Sequence, residues 1–172
     1  MVIKKVLSVF AAIQLTAFIS FGHDHGKKLR AGGISLIEAY TQRILPGRRE
    51  GRIIKETHFI ITWKNKNYPK NFIWLDGDDT LNCNIAKAHK INAGNMHRLP
   101  GRSDYYTENI ALNKIQKGDT LDITPINGGK AILPTDTPEA LKNMLLYTAS
   151  NKKTLYGFHV DSLTRKQDIA MP

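Results

Sequence analysis

Along residues 53–63 the side chains alternate. Thr57, Phe59, Ile61 and Trp63 fall on one side of an extended chain, and Glu56, His58, Ile60 and Thr62 on the other. Successive residues of a strand point to opposite faces, so this period of two predicts a β-strand with one apolar, aromatic face and one mixed face. A sheet packed on one side carries that pattern. Residues 35–44 alternate less cleanly: Leu36 and Tyr40 share a face with Glu38 and Gln42, while Ile37 and Ala39 take the other. They predict the partner strand, joined through Leu45-Pro46-Gly47-Arg48-Arg49-Glu50-Gly51-Arg52.

The same pattern continues in shorter pieces. An apolar run at residues 72–75 stops at Asp76-Gly77-Asp78-Asp79, and residues 81–91 alternate through Leu81, Cys83 and Ile85. Residues 92–109, rich in Asn, Gly, His and Arg, predict a long loop. Residues 110–115 and 120–126 predict a hairpin across Gln116-Lys117-Gly118-Asp119, because Gly-Asp supplies a permissive turn backbone. Asn127-Gly128-Gly129 is expected to be a connector. Thr137-Pro138-Glu139 has the cap and first-turn proline of a helix start, so one short helix is expected near 138–145. A last hairpin pairs 146–149 with 154–163, with Tyr156, Phe158 and Val160 on one face.

About eight short strands at close spacing, with no long amphipathic helices between them, predict an all-β chain closed as an antiparallel β-sandwich. Leu-Pro-Gly-Arg occurs at 45–48 and again at 99–102, and Pro-Gly suits the centre of a type II turn. The flanks do not align, so two like turns account for it without an internal repeat.

The amino terminus changes the picture. Lys4 and Lys5 precede an apolar stretch over residues 6–21, and Ser20 and Gly22 are the small residues of a cleavage site. That is the anatomy of a secretory signal peptide over 1–22, followed by a polar tail over 23–33 and a single domain over 34–172. The expected location is outside the cytoplasm: periplasmic, cell-surface or extracellular. The net charge is +10, of which Lys4 and Lys5 contribute two. A basic exported protein suits an anionic polymer or a cell-surface component, whereas aromatics interleaved to stack nucleic-acid bases are not evident. The single cysteine, Cys83, excludes an internal disulfide and is expected to be a half-buried apolar side chain.

Three constellations could carry chemistry. Arg48, Arg49 and Arg52, with Arg43 and Lys55 nearby and Arg102 from the second Pro-Gly turn, offer guanidinium forks for phosphate, sulfate or carboxylate. If cleavage follows Gly22, His23-Asp24-His25 becomes a free amino terminus whose amine, amides and imidazole can surround Cu²⁺ or Ni²⁺ in a square plane. Asp76, Asp78 and Asp79 could hold Ca²⁺, although the glycine and closing glutamate of an EF-hand loop are missing. The Asp-Gly-Asp-Asp-Thr run after an apolar strand also resembles the first motif of haloacid-dehalogenase-type phosphatases. That resemblance implies Asp76 as nucleophile, Asp78 as general acid and base, and Mg²⁺ between carboxylates and phosphate. The later Ser or Thr, Lys and acidic pair of that family are not placed, and a solvated acidic turn is the competing reading. No nucleotide-binding, zinc-protease or serine-hydrolase motif occurs, and no cofactor is expected.

The order of features resembles a group of short, secreted bacterial β-sandwich proteins. The shared elements are the signal peptide, Glu38-Ala39-Tyr40 in the first strand, the Pro-Gly loop, Lys117-Gly118-Asp119-Thr120-Leu121, and a last hairpin ending near Ala170-Met171-Pro172. The resemblance implies an immunoglobulin-like fold and brings no catalytic residues. The expectation is an exported, non-catalytic binding or structural protein. The alternatives are an anionic-polymer or adhesion module acting through the 45–52 loop, and a Mg²⁺-dependent phosphatase built on Asp76.

Overall fold

A computed structural model describes residues 32–47, 51–91, 104–133, 141–150 and 154–170. These residues form ten strands: β1 (Ile34–Leu45), β2 (Ile54–Trp63), β3 (Pro69–Asp76), β4 (Asp79–Lys90), β5 (Tyr105–Glu108), β6 (Thr120–Lys130), β7 (Met144–Ala149), β8 (Leu155–His159), β9 (Thr164–Arg165) and β10 (Ile169–Ala170). All lie in one mixed sheet of order β10-β1-β2-β6-β4-β3-β7-β8, with β5 beside β4 and β9 beside β1. Only the pairings of β1 with β9 and β10 are parallel.

The sheet does not lie flat. Two strands, β6 and β4, separate β2 from β3 in the hydrogen-bonded order. In a flat sheet β2 and β3 would be about 14 Å apart, three spacings of about 4.8 Å. Yet the rings of Phe59 on β2 and Trp74 on β3 have centroids only 4.6 Å apart. Trp63 likewise meets Phe72 at 6.1 Å and Tyr147, on β7, at 5.4 Å. The sheet therefore coils over, laying the inner face of β1, β2 and β6 on that of β3, β7 and β8. Phe59, Ile61, Trp63, Phe72, Trp74, Leu121, Ile123, Leu145 and Tyr147 fill the space between and are almost wholly buried. A smaller cluster of Ile73, Leu75 and Leu146 covers the outer face of β3 and β7.

Local features explain where the pattern was irregular. The register of β1 on β2 shifts between Leu36 and Glu38, a β-bulge that leaves Ile37 48% exposed. The bulge lets Leu36 and Ala39 both face the core, although they are an odd number of residues apart. The β3–β4 hairpin closes on Gly77 and Asp78, with Gly77 at φ +61°. Glycine at the first central position with positive φ is a type II′ turn, whose twist matches the flanking strands.

Four expectations need correction. Residues 110–115 do not pair with β6. They hold a 3-10 turn at Leu112–Lys114 that lays Ile110, Leu112 and Ile115 on the core, so their apolar spacing served a packed turn. Residues 127–129 are no connector: they belong to β6, where Leu81 faces Lys130 but Cys83 faces Pro125, so residues 126–129 bulge with Gly128 at φ +77°. No helix occupies 141–145, because Met144 and Leu145 enter β7 and pair with β3 and β8, while 138–140 lie outside the described residues. The predicted long loop contains β5, paired with β4.

The C-terminal residues 164–170 run parallel to β1 as a strap. Polar contacts hold it: the Gln42 amide donates to the Gln167 carbonyl at 2.7 Å, and Arg43 Nε lies 3.1 Å from both carboxylate oxygens of Asp168. Lys166 pairs with Glu38 at 2.8 Å and sits 3.8 Å above the Tyr40 ring.

Since Phe59 joins the two halves of the core, Phe59→Ala should cost about 3–5 kcal/mol in urea unfolding, the usual loss for a buried aromatic. Ile37→Ala, at the exposed bulge, should stay within about 0.5 kcal/mol of wild type. Equal losses at the two sites would contradict the coiled arrangement.

Candidate binding cleft

The inner face of β2 changes character along its length. Phe59, Ile61 and Trp63 point into the core, and the same side of the strand continues as Thr57 and Lys55 toward its start. On β3, Phe72 and Trp74 lead in the same way to Asp76. Where the coiled sheet opens, these polar ends stand around a cleft of about 340 Å³. Its walls are Arg52, Ile53, Ile54, Lys55 and Thr57 at the start of β2, Trp74 and Asp76 at the end of β3, Leu81 on β4, and Pro125 and Asn127 at the β6 bulge. The volume lies at the low end of ordinary small-ligand sites, about 300–1,000 Å³.

Arg52 and Lys55 have no carboxylate partner among the described residues. Arg43 stands directly opposite Lys55 in the β1–β2 register, a like-charge pair that is unfavourable by itself. Arg43 is neutralised by Asp168, and its guanidinium holds that carboxyl below the usual carboxylate range through hydrogen bonds and charge. Lys55 has no such relief. Behind these cations, Trp74 is 2% exposed and its buried indole Nε1 has no hydrogen-bond acceptor among the described residues. Trp63 is different, because its Nε1 donates to the Asn67 carbonyl at 2.9 Å. A buried donor left unpaired costs about 1–3 kcal/mol. Two cations therefore line this opening, and Trp74 backs its wall with the indole N–H itself sealed from solvent.

Of the residues singled out from the sequence, Arg52 and Asp76 come together here. Asp78 and Asp79 are exposed on the hairpin turn, with Asp78 3.4 Å from Lys142 Nζ and Asp79 paired across the strands with Asp76. β3 is antiparallel to both its neighbours, β4 and β7, so the Asp76 turn does not end a parallel strand as the phosphatase motif does. Among the described residues no group of three or more His, Cys, Asp or Glu is placed to hold a metal ion. Arg48, Arg49, Arg102, His23, Asp24 and His25 lie outside the described residues. Trp74 gave no functional signal in the sequence, where it counted only as part of an apolar strand. Cys83 is half-buried, and burial pushes its thiol up to about 12, which leaves it protonated at neutral pH.

A second polar cluster occupies the opposite face of β2. His58 stacks on Tyr40 at 4.8 Å, with Nδ1 2.9 Å from Asp122 Oδ2 and Nε2 3.4 Å from Glu56 Oε2. Thr124 Oγ1 lies 3.4 Å from Asp122 Oδ1. Burial disfavours the imidazolium, but hydrogen bonds and charge from Asp122 and Glu56 outweigh it and raise the His58 pKa above its ordinary value of 6.5. Asp122 and Thr124 approach the same ring nitrogen, so this is not the relay of a hydrolase triad, which needs opposite nitrogens. The cluster pins β1, β2 and β6 together.

A raised folded-state pKa gives stability that is complete below the unfolded value and lost as pH rises through the folded one. The stability difference between wild type and His58→Gln should therefore be largest near pH 6 and shrink as pH climbs beyond 6.5 through the higher folded value, as read by thermal melts. A difference that grows with pH would contradict the pairing. No known protein family, no curated protein and no solved structure matches this chain.

Proposed function

We propose that the protein is an exported β-sandwich that acts by binding, not by catalysis, and that it holds an anionic polymer or cell-surface component at the mouth of its coiled sheet. The signal-peptide pattern over residues 1–22 supports export. Phe59 and Trp63 packed on Trp74, Phe72 and Tyr147 support closure as a sandwich of the immunoglobulin-like kind. The observation that carries the binding reading is the pair of cations, Arg52 and Lys55, lining a cleft and ion-paired with no carboxylate among the described residues. Arginine presents a planar fork to carboxylate, sulfate or phosphate, and a nearby ammonium adds a point charge. Without residues 1–22, which hold Lys4 and Lys5 and no acid, the net charge falls by two from +10 to +8, and it adds a longer-range pull on a polyanion.

Heparin-affinity chromatography tests the reading. The wild-type chain should be retained and eluted by salt, and Arg52→Ala/Lys55→Ala should elute earlier. The slope of log affinity against log salt should become shallower by about two, about one for each cation removed. Elution of the double variant at the wild-type position would refute the assignment.

A further inference from the structure

The cleft holds more than positive charge, and the rest of its wall narrows the ligand. Asp76 stands in the same wall as Arg52 and Lys55, and among the described residues its carboxylate has no cation partner. A bare anion would gain from the two cations but be repelled by Asp76. A neutral polyol could donate to Asp76 but would leave both cations unanswered. A ligand that carries an anionic group and hydroxyl donors on one small body satisfies both. Ile53, Ile54, Leu81 and Pro125 add apolar surface for the C–H face of such a body.

Resting on the proposed anion-binding reading, we infer that the cleft takes a single acidic sugar unit, a carboxylated or sulfated saccharide. Arg52 and Lys55 bind the anionic group, Asp76 accepts from ring hydroxyls, and the sugar body lies against the wall that Trp74 backs. About 340 Å³ suits one or two sugar rings, so a longer polymer would be read at one unit at a time. A ligand lacking either the anionic group or the hydroxyls leaves a charged group of the wall unanswered, and that difference is the source of discrimination.

The chain contains two tryptophans: Trp74 backs the cleft wall, whereas Trp63 lies away from it in the core with its indole N–H bonded to the Asn67 carbonyl. In ¹⁵N-labelled protein titrated with glucuronic acid or a sulfated disaccharide, the Trp74 indole signal should shift while that of Trp63 stays in place. Glucose and inorganic sulfate should each bind at least tenfold more weakly. Asp76→Ala, an exposed position, should weaken the acidic sugars about tenfold and tighten inorganic sulfate, two changes of opposite sign. A stationary Trp74 signal at saturating acidic sugar, with heparin retention intact, would overturn the inference while leaving anion binding standing. Sulfate that shifts Trp74 as strongly as the sugars, or Asp76→Ala that affects both ligands alike, would overturn it too. Loss of heparin retention by the wild-type chain would instead fault the underlying anion-binding reading.

Discussion

The contact between Phe59 and Trp74 fixes the shape of this protein. Their rings meet although two strands intervene along the sheet, so β6 and β4 must carry the whole bend. β4 does so by changing partners along its length, from β3 at its start to β6 and then β5. β6 does so with its glycine-bearing bulge at 126–129, which interrupts the ladder and bends the strand. Trp63, Phe72, Tyr147 and Tyr156 extend the contact into a run of edge-on and stacked rings. Each such pair adds about 0.5–1.5 kcal/mol to the apolar area it buries. Without that run the sheet has no reason to close, and no cleft would exist at its mouth.

One strand serves both polar regions. β2 sends Lys55 and Thr57 toward the cleft and Glu56 and His58 toward the outer network, simply because successive residues alternate. The two regions do opposite things with charge. On the outer face every carboxylate near His58 is engaged with it, with Thr124 or with the strap, and the network holds three strands in register. At the cleft the charges are left open. Satisfied polar groups belong to architecture, whereas unsatisfied ones held by a rigid frame are what a ligand can use.

Much of the frame was legible in the sequence. Strict alternation marked β2, an apolar run ending in Asp-Gly marked β3 and its turn, and Tyr156, Phe158 and Val160 marked β8. What escaped notice did so for physical reasons. The bulge at Ile37 breaks the period of β1, so its faces could not be assigned by counting. Ile110 and Leu112 alternate as in a strand, but Ile115 breaks the period, and the three pack on the core around a 3-10 turn. The strap at 164–170 is polar and holds by side-chain hydrogen bonds, so no hydrophobic pattern announces it. At the site, Arg52 and Asp76 were each visible but belonged to separate hypotheses. Only the coil of the sheet brings them to one wall, and that Trp74 backs this wall leaves no trace in the order of residues.

The strap also governs when the molecule can be finished. Gln42 and Gln167 are 125 residues apart, so the outer edge of β1 waits for its partner until almost the whole described chain exists. At a synthesis rate of about 5–20 residues per second those 125 residues take roughly 6–25 seconds. An open strand edge is a template for pairing with another copy. The strap thus covers this edge of β1 through two short parallel ladders, and its polar side-chain grip fastens them.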